Sequence, residues 1–267
     1  MLYRYLGKTK EKLSSIGIGT WKLGVDPEEE TKAIQRGLSI GINFIDTAEM
    51  YNTESLVGAA ARGSGAFIAT KVSPDHFSRE KVIKSCNASL ERLGVKCIDL
   101  YQLHWPNPRI PISETMSAME QLVKDGKIRY IGVSNFSIKE LKEAQSALKD
   151  NVIVSNQIEY SMLVRSAEED MLEYCRKEGI SIIAYSPLAR GAIAKQKELM
   201  DHLAEIGSRL GMNPFQVALA WTIRHDNVMA IPKAADIKHM EENAAAASKA
   251  LSMKDVESIN RFLGYTE

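Results

Sequence analysis

Residues 97–135, CIDLYQLHWPNPRIPISETMSAMEQLVKDGKIRYIGVSN, contain the repeating unit that decides the fold. A β-rich run opens this stretch and another ends it, and a helical pattern lies between them and ends at Gly126. Glycine just after a helix adopts the left-handed conformation that terminates it. A strand, a helix and a second strand in this order predict two parallel strands joined by a crossover helix.

The same alternation extends over most of the chain. β-rich runs begin near residues 15, 42, 66, 97, 127, 152, 180 and 228. The long interval between the last two runs has room for two helices, with a break at Gly211-Met212-Asn213-Pro214, because proline is tolerated at a helix start. The pattern therefore predicts eight strand-helix units.

Local punctuation indicates where several helices begin and end. Ser137-Ile138-Lys139-Glu140 and Ser166-Ala167-Glu168-Glu169 match the capping box and predict two helix starts. Gly94, Gly126 and Gly179 each follow a helical pattern, where a left-handed cap residue is expected. A further helical pattern at 253–263 predicts a short C-terminal helix.

Eight units fit either a closed (β/α)8 barrel or an open doubly wound sheet. The GxGxxG fingerprint of many open sheets is missing, since Gly17-Ile18-Gly19 and Gly63-Ser64-Gly65 lack the third glycine. Gly7-Lys8-Thr9 lacks the upstream glycine of a phosphate loop. Residues 2–14 are interpreted as a β-hairpin that plugs the N-terminal end of a barrel.

Composition excludes several classes of partner. Lysine and arginine number 34 and aspartate and glutamate also number 34, so no net field attracts nucleic acid or anionic lipid. No stretch approaches the about 18 apolar residues of a membrane span, and we expect a cytoplasmic protein. The three cysteines have no CxxC spacing, which argues against a disulfide framework and a metal site.

Four ionisable residues lie at or near the ends of neighbouring strands. Asp46 ends the second run and Tyr51 follows it, Lys71 ends the third run, and His104 ends the fourth. Catalytic groups of (β/α)8 barrels come from the carboxyl ends of the strands. These four residues are therefore the candidate catalytic set.

Proton affinities limit what this set can do. The unperturbed pKa of tyrosine, about 10, makes it a poor proton donor and acceptor at neutral pH. We expect Lys71 to stabilise the phenolate of Tyr51 and so to lower its pKa. Asp46 would keep that lysine charged, and His104 would orient a carbonyl oxygen. The set has no obvious nucleophile, metal cage or carboxylate pair, so proton delivery to an oxygen remains.

Longer motifs identify a family. GINFIDTAEMYNTESLVG at 41–58, ATK at 69–71 and YQLHW at 101–105, with further segments in the same order through IPKAADIKHMEEN at 231–243, strongly resemble the aldo-keto reductases. The resemblance implies a single (β/α)8 TIM barrel domain over residues 1–267. It also implies reduction of aldehydes and ketones to alcohols by hydride transfer from a nicotinamide cofactor.

The resemblance assigns roles to individual positions. Tyr51 would be the general acid, tuned by Lys71 and Asp46, with His104 orienting the substrate carbonyl. The expected cofactor contacts are Gly19, Thr20, Trp21, Asp46, Ser134, Asn135, Gln157, Tyr185, Ser186, Leu188, Lys233, His239, Glu242 and Asn243. The expected substrate contacts are Trp21, Met50, Tyr51, His104 and Trp105.

Two departures from the family pattern bear on cofactor choice. Lys233 matches the lysine that binds the 2′-phosphate of NADPH, but Ala234 and His239 stand where a hydroxyl residue and an arginine are common. Histidine lacks the planar fork of arginine and is largely neutral above pH about 6.5. We expect NADPH to be preferred, with a weakened grip, and NADH to be possible.

Three further expectations concern alternatives and assembly. The same fold serves in some relatives as a cofactor-sensing subunit of a potassium channel, and a barrel isomerase or lyase could use Lys71 in a Schiff base. Many relatives also have a longer tail, so the pattern ending near 263 predicts an open mouth and broad aldehyde tolerance. We expect a monomer or weak oligomer whose partners are a carbonyl substrate and the cofactor.

Overall fold

The computed structural model describes residues 1–265. An antiparallel hairpin comes first, formed by β1 (Tyr3–Tyr5) and β2 (Lys12–Ser14). Eight parallel strands follow in chain order, each paired with the next. They are β3 (Ile18–Gly19), β4 (Phe44–Asp46), β5 (Phe67–Val72), β6 (Ile98–Leu103), β7 (Ile128–Ser134), β8 (Ile153–Glu159), β9 (Ser181–Tyr185) and β10 (Val228–Ala230). All eight predicted strands are present.

Hydrogen bonds between the first and last strands close the sheet into a barrel. The backbone N–H of Gly17 donates to the carbonyl of Ala230 at 2.8 Å, and that of Gly19 donates to Pro232 at 3.1 Å. In the opposite direction, the N–H of Ala230 donates to Ser15 at 2.8 Å. These bonds decide between the two architectures, and the (β/α)8 barrel is confirmed.

Helices cover the outside of the barrel. Those of residues 1–265 are α1 (Pro27–Ser39), α2 (Glu54–Ala60), α3 (Arg79–Leu93), α4 (Ile112–Lys124), α5 (Ile138–Ser146), α6 (Met171–Glu178), α7 (Lys197–Leu210), α8 (Pro214–Thr222), α9 (Ile237–Ala245) and α10 (Met253–Phe262). As predicted, two helices fill the long interval before β10, and a short C-terminal helix is present. In residues 1–265 no helix is both long and apolar enough to span a bilayer.

The hairpin plugs the N-terminal end of the barrel, as predicted. Its buried Leu6 and Leu13 pack into the barrel interior with residues from all sides: Phe44, Phe67, Ala69, Leu100, Val154, Ile183, Met229 and Ile231. The hairpin also bonds to the start of β9, where the Gly7 N–H donates to Ser181 Oγ at 2.8 Å. Burial of apolar surface stabilises a fold by about 25 cal/mol per Å². The hairpin therefore stabilises the end of the barrel that lies opposite the carboxyl ends of the strands.

One predicted helix start is wrong. Ser166–Glu168 is a 3-10 turn, and α6 begins only at Met171. The N–H of Glu169, which a capping box would bond to the Ser166 side chain, donates instead to the Ser166 carbonyl at 3.3 Å. By contrast, Ser137 and Glu140 form the complete box that was predicted.

Helix α2 is held closely against its neighbours. A Cβ atom added to Gly58 would lie 2.2 Å from the carbonyl oxygen of Leu93, so only glycine permits this approach of α2 to α3. The buried carboxylate of Glu54 accepts hydrogen bonds from Thr70 Oγ1 and from Arg92 Nε, each at 2.6 Å. Residues 47–53, which connect β4 to α2, are therefore held at one end by β4 and at the other by the packed start of α2.

Candidate active site

Four barrel segments bring the predicted catalytic residues together. Asp46 is the last residue of β4, Lys71 is the penultimate residue of β5, and His104 directly follows β6. Tyr51 ends a 3-10 turn, Glu49–Tyr51, that follows β4. All lie at the carboxyl ends of the strands, where parallel strands present their functional groups.

The Lys71 ammonium is the centre of the cluster and is fully buried. Its Nζ donates to Asp46 Oδ1 at 2.5 Å, to the Thr47 carbonyl at 2.8 Å and to Tyr51 Oη at 3.5 Å. Burial alone lowers the pKa of Lys71, but the charge of Asp46 and the hydrogen bonds to Asp46 and Tyr51 outweigh burial and raise it. The lysine is therefore a cation at neutral pH. A lysine that forms a Schiff base must attack as a neutral amine, so this state argues against the isomerase or lyase alternative.

Two glutamine amides hold the other oxygen of the carboxylate. Gln157 Nε2 donates to Asp46 Oδ2 at 2.7 Å, and Gln102 Nε2 donates to the same atom at 3.2 Å. Gln102 is the register partner of Lys71 in the β5–β6 pair. A buried carboxylate must be paired and hydrogen-bonded to be stable as an ion, and Asp46 meets both conditions.

The net shift of the tyrosine pKa differs from the expected one. Lys71 does favour the phenolate, but burial of the Tyr51 hydroxyl has the larger effect and raises its pKa above the usual value. The expectation of a net lowering is therefore wrong for this pocket. A raised pKa keeps the phenol protonated at neutral pH, and release of its proton then depends on stabilisation of the phenolate by Lys71.

His104 is neutral and lies beside the phenol. Burial and the Lys71 charge lower the pKa of His104 to about 3. Its Nε2 lies 3.3 Å from Tyr51 Oη, and its buried Nδ1 has no hydrogen-bond partner among the described residues. Because an unpaired buried N–H is rarer in proteins than an unpaired acceptor, we assign the proton to Nε2. Trp105 stacks on the imidazole with 3.9 Å between ring centroids, which fixes the ring plane.

A cavity of about 630 Å³ opens above this cluster. Many of the residues predicted to bind cofactor or substrate line it, namely Gly19, Thr20, Trp21, Asp46, Tyr51, His104, Trp105, Ser134, Asn135, Gln157, Tyr185, Ser186, Leu188 and Lys233. The volume lies within the usual range for a small-molecule site.

Five predicted residues lie outside the cavity wall. Lys71 is buried beneath Tyr51, and Met50 is about half exposed beside it. His239, Glu242 and Asn243 lie on α9. The exposed His239 binds Asp236 of its own helix start, with 2.5 Å between Nδ1 and Oδ2. The ligand contacts of all the predicted residues, inside and outside the cavity wall, remain predictions.

The wall opposite β4 presents a small polar network. The hydroxyl of Tyr185 donates to Asn135 Oδ1 at 2.9 Å, and Asn135 Nδ2 donates to the His104 carbonyl at 3.1 Å. Ser134 Oγ donates to the carbonyl of Gln157 at 2.9 Å. A half-buried aromatic ring beside amide groups suits a flat ligand ring bearing a carboxamide, so these residues fit a nicotinamide.

The phosphate-binding candidate lies where the barrel closes. Lys233 is exposed at the rim of the cavity and pairs through its backbone with Gly19. A mobile ammonium at the rim can meet an anionic group without the cost of burying a charge. The donor set of this cavity thus fits a nicotinamide dinucleotide with its phosphates.

Sequence reasoning missed several residues that line or support the cavity: Lys22, Gln102, Pro187, Arg190, Gly191, Phe215, Ile231 and Pro232. One of them carried a signal, because Gln102 is an amide between Tyr101 and Leu103 in β6 and lies two residues before His104. Alternate residues of a strand share a face, so this position could have been added to the cluster.

Comparison with known proteins gives consistent matches. The model of the Aldo/keto reductase family matches residues 15–263. The methylglyoxal reductase YeaE of Escherichia coli K12 is 37% identical over 258 residues, covering 93% of this chain and 90% of that protein. The glyoxal reductase of Bacillus subtilis strain 168 is 34% identical over 253 residues, covering 91% and 87%. An aldo-keto reductase from Klebsiella pneumoniae in complex with NADPH has a TM-score of 0.91 and 35% identity, covering 100% of this chain and 97% of that one.

Proposed function

Since the chain belongs to the aldo/keto reductase family, we propose that it reduces small aldehydes and ketones to alcohols with NADPH, using Tyr51 as the proton donor. The observation that carries the proposal is the contact chain from Asp46 through Lys71 to Tyr51, which ends at a cavity. Nothing in the comparisons supports the alternative of a regulatory cofactor-binding subunit.

The chain's own residues would hold the cofactor. Ser134, Asn135 and Gln157 lie where they can bind a carboxamide, Tyr185 offers its ring to a nicotinamide, and Lys233 offers a cation to the phosphates. NADPH, when bound, supplies a hydride to the carbonyl carbon. The protein's task is then to orient the carbonyl and deliver a proton to its oxygen.

Proton delivery follows from the geometry around the phenol. Tyr51 lines the cavity, and the raised pKa of its hydroxyl keeps that group protonated at neutral pH. Lys71, at 3.5 Å, stabilises the phenolate that remains after transfer. His104, neutral and protonated on Nε2, can donate a hydrogen bond to the same carbonyl oxygen. Both donors therefore converge on one substrate atom.

The substrate class follows from the cavity walls and the relatives. Trp21 and Trp105 are 43% and 41% exposed and form apolar walls beside the donors. The two bacterial relatives are named for methylglyoxal and glyoxal. We therefore propose small 2-oxoaldehydes, of which methylglyoxal is the first to test, as preferred substrates. The measurement is kcat/KM for methylglyoxal against an aliphatic aldehyde of the same length.

Replacement of the phenol tests the mechanism. In Tyr51→Phe the hydroxyl is lost, so kcat for methylglyoxal should fall by about 10² to 10⁴. The Kd for NADPH, measured by quenching of protein fluorescence, should stay near that of the native protein. The control is Tyr5→Phe, which removes a hydroxyl from an exposed tyrosine of the hairpin. A Tyr51→Phe protein with near-native kcat would refute the assignment.

Cofactor preference depends on the cations near the 2′-phosphate. Lys233→Met should weaken NADPH binding more than NADH binding, because only NADPH carries the 2′-phosphate. His239 is held by Asp236 and has a smaller share in this grip. Equal losses for both cofactors in Lys233→Met would remove the lysine from this role.

The remaining proposals concern assembly and location. We propose that residues 1–267 act as one domain, that the protein is a monomer or weak oligomer, and that it works in the cytoplasm. Sedimentation velocity over a range of concentrations tests the oligomeric state, and a single cooperative unfolding transition tests the single domain.

A further inference from the structure

The acid Tyr51 and its lysine lie on two different segments, and one carboxylate joins them. Glu49 precedes Tyr51 by two residues in the same 3-10 turn, and Ser73 follows Lys71 by two residues at the end of β5. Glu49 Oε1 accepts a hydrogen bond from the Ser73 backbone N–H. The link therefore crosses between the two segments next to the reacting pair.

A second bond strengthens the same link. His76 Nδ1 lies 3.0 Å from both Glu49 Oε1 and Ser85 Oγ. His76 belongs to the 3-10 turn Pro74–His76, which follows Ser73. The carboxylate is mostly buried, with its side chain 10% exposed. Charge-assisted bonds to a buried carboxylate are stronger and shorter than neutral ones, so they fix the position of the turn.

From the side of β5, Lys71 Nζ donates to the Thr47 carbonyl at 2.8 Å and the Thr47 N–H donates to the Ala69 carbonyl at 2.9 Å, so both bonds hold a residue before the turn rather than the turn itself. Its internal bond runs from the Tyr51 N–H to the Ala48 carbonyl at 3.0 Å. On the side of β3, hydroxyl contacts join Thr53 to Thr20 at 3.0 Å and to Thr47 at 2.8 Å. The Glu49 carboxylate adds a restraint to the first residue of the turn from the segment that follows β5.

We infer that Glu49 is a positioning residue for the proton donor, because its carboxylate sets the separation between the Tyr51 oxygen and the Lys71 ammonium. The inference rests on the proposed role of Tyr51. Among the described residues, Glu49 does not line the cavity and makes no hydrogen bond to the candidate catalytic set of Asp46, Tyr51, Lys71 and His104, so it acts through the placement of the turn. Misplacement of a reacting group by about 1 Å can cost about 10²-fold in rate.

The first test compares two substitutions at one position. Glu49→Gln keeps a carbonyl oxygen that accepts from Ser73, whereas Glu49→Ala removes it. We expect kcat to fall about 10- to 100-fold in Glu49→Ala and to stay within about threefold of native in Glu49→Gln. The Kd for NADPH should be unchanged in both. Glu91→Ala, at an exposed glutamate of α3, is the control for loss of a carboxylate.

The second test is a double-mutant cycle with Tyr51→Phe. If Glu49 acts through Tyr51, then adding Glu49→Ala to Tyr51→Phe should not lower the residual rate further. A multiplicative loss, or a native kcat in Glu49→Ala, would overturn the inference. Failure of the proposed function gives a different result, because Tyr51→Phe alone would then remain active.

A substitution on the partner segment guards against misfolding. Ser73 has φ −64° and ψ 144°, which proline can adopt, so Ser73→Pro removes the N–H donor while suiting the backbone. If Glu49→Ala does not fold, Ser73→Pro should show the same fall in kcat with an unchanged Kd for NADPH. A native kcat in Ser73→Pro would count against the link.

Discussion

The buried ion pair of Asp46 and Lys71 allows stability and activity to be separated experimentally. Lys71→Met keeps the volume of the side chain but removes the cation 3.5 Å from Tyr51 Oη. At an effective dielectric constant of about 20, that cation stabilises a phenolate by about 5 kcal/mol. This energy corresponds to a loss of the order of 10³ in kcat, within the range for general acid catalysis.

Lys71→Met should also destabilise the fold. Asp46 would keep its bonds from Gln102 and Gln157 but lose its only cation, Lys71, among the described residues. Breaking a buried pair costs about 3–5 kcal/mol. For a chain of this size that corresponds to a fall in Tm on the order of 10 °C.

The double variant Asp46→Asn with Lys71→Met gives the deciding result. It removes both charges, so most of the lost stability should return, while kcat should stay low because the phenolate still has no cation. The assays are thermal unfolding followed by circular dichroism, and consumption of NADPH with methylglyoxal. A Lys71→Met protein with native Tm, or a double variant with native kcat, would refute the reasoning.

Three further outcomes are expected. Burial lowers the pKa of His104 to about 3, so as pH falls through about 6.5 the imidazole takes up a proton in the unfolded chain but not in the folded one. The contribution of His104 to stability is therefore full above pH about 6.5 and is lost progressively down to about 3. Thermal unfolding of His104→Gln should show a smaller fall in Tm over this pH range. Since the pKa of Tyr51 is raised, kcat for reduction should persist to pH 10 and decline only above it, and an earlier decline in the pH profile would contradict the protonated donor. Gly58→Ala should destabilise the fold by more than about 1 kcal/mol in chemical denaturation, because the new Cβ would meet the Leu93 carbonyl at 2.2 Å, while a fully stable variant would show that α2 can shift.

Much of the fold was predictable because its signals are local. Each barrel strand begins in a run of residues with high β propensity, and glycines such as Gly94 and Gly179 end helices in the left-handed conformation. Closure was not predictable in this way, since it depends on backbone bonds between Gly17 and Ala230, which lie at opposite ends of the chain. The wrongly predicted helix start at Ser166 has a similar cause. There the capping motif competes with backbone hydrogen bonds of the folded turn, which the sequence does not show.

Some residues of the candidate site could likewise be predicted from sequence, and others could not. Asp46, Lys71 and His104 could be grouped from sequence because each ends a strand or follows one directly. The support from Gln102 and Glu49 depends on strand register and on the path of one turn, which residue types alone do not specify. The direction of the Tyr51 pKa shift was missed for a related reason, since desolvation depends on burial in the finished fold.

The place where the barrel closes is also a wall of the cavity, since Gly19 of β3 and Lys233 just after β10 both face it. A dinucleotide bound there would contact both the first and the last strand of the barrel and hold them together. Ligand at 100 times its Kd adds about 2.7 kcal/mol to the free energy of unfolding. Amide exchange along β3 and β10 should therefore slow as the cofactor concentration rises.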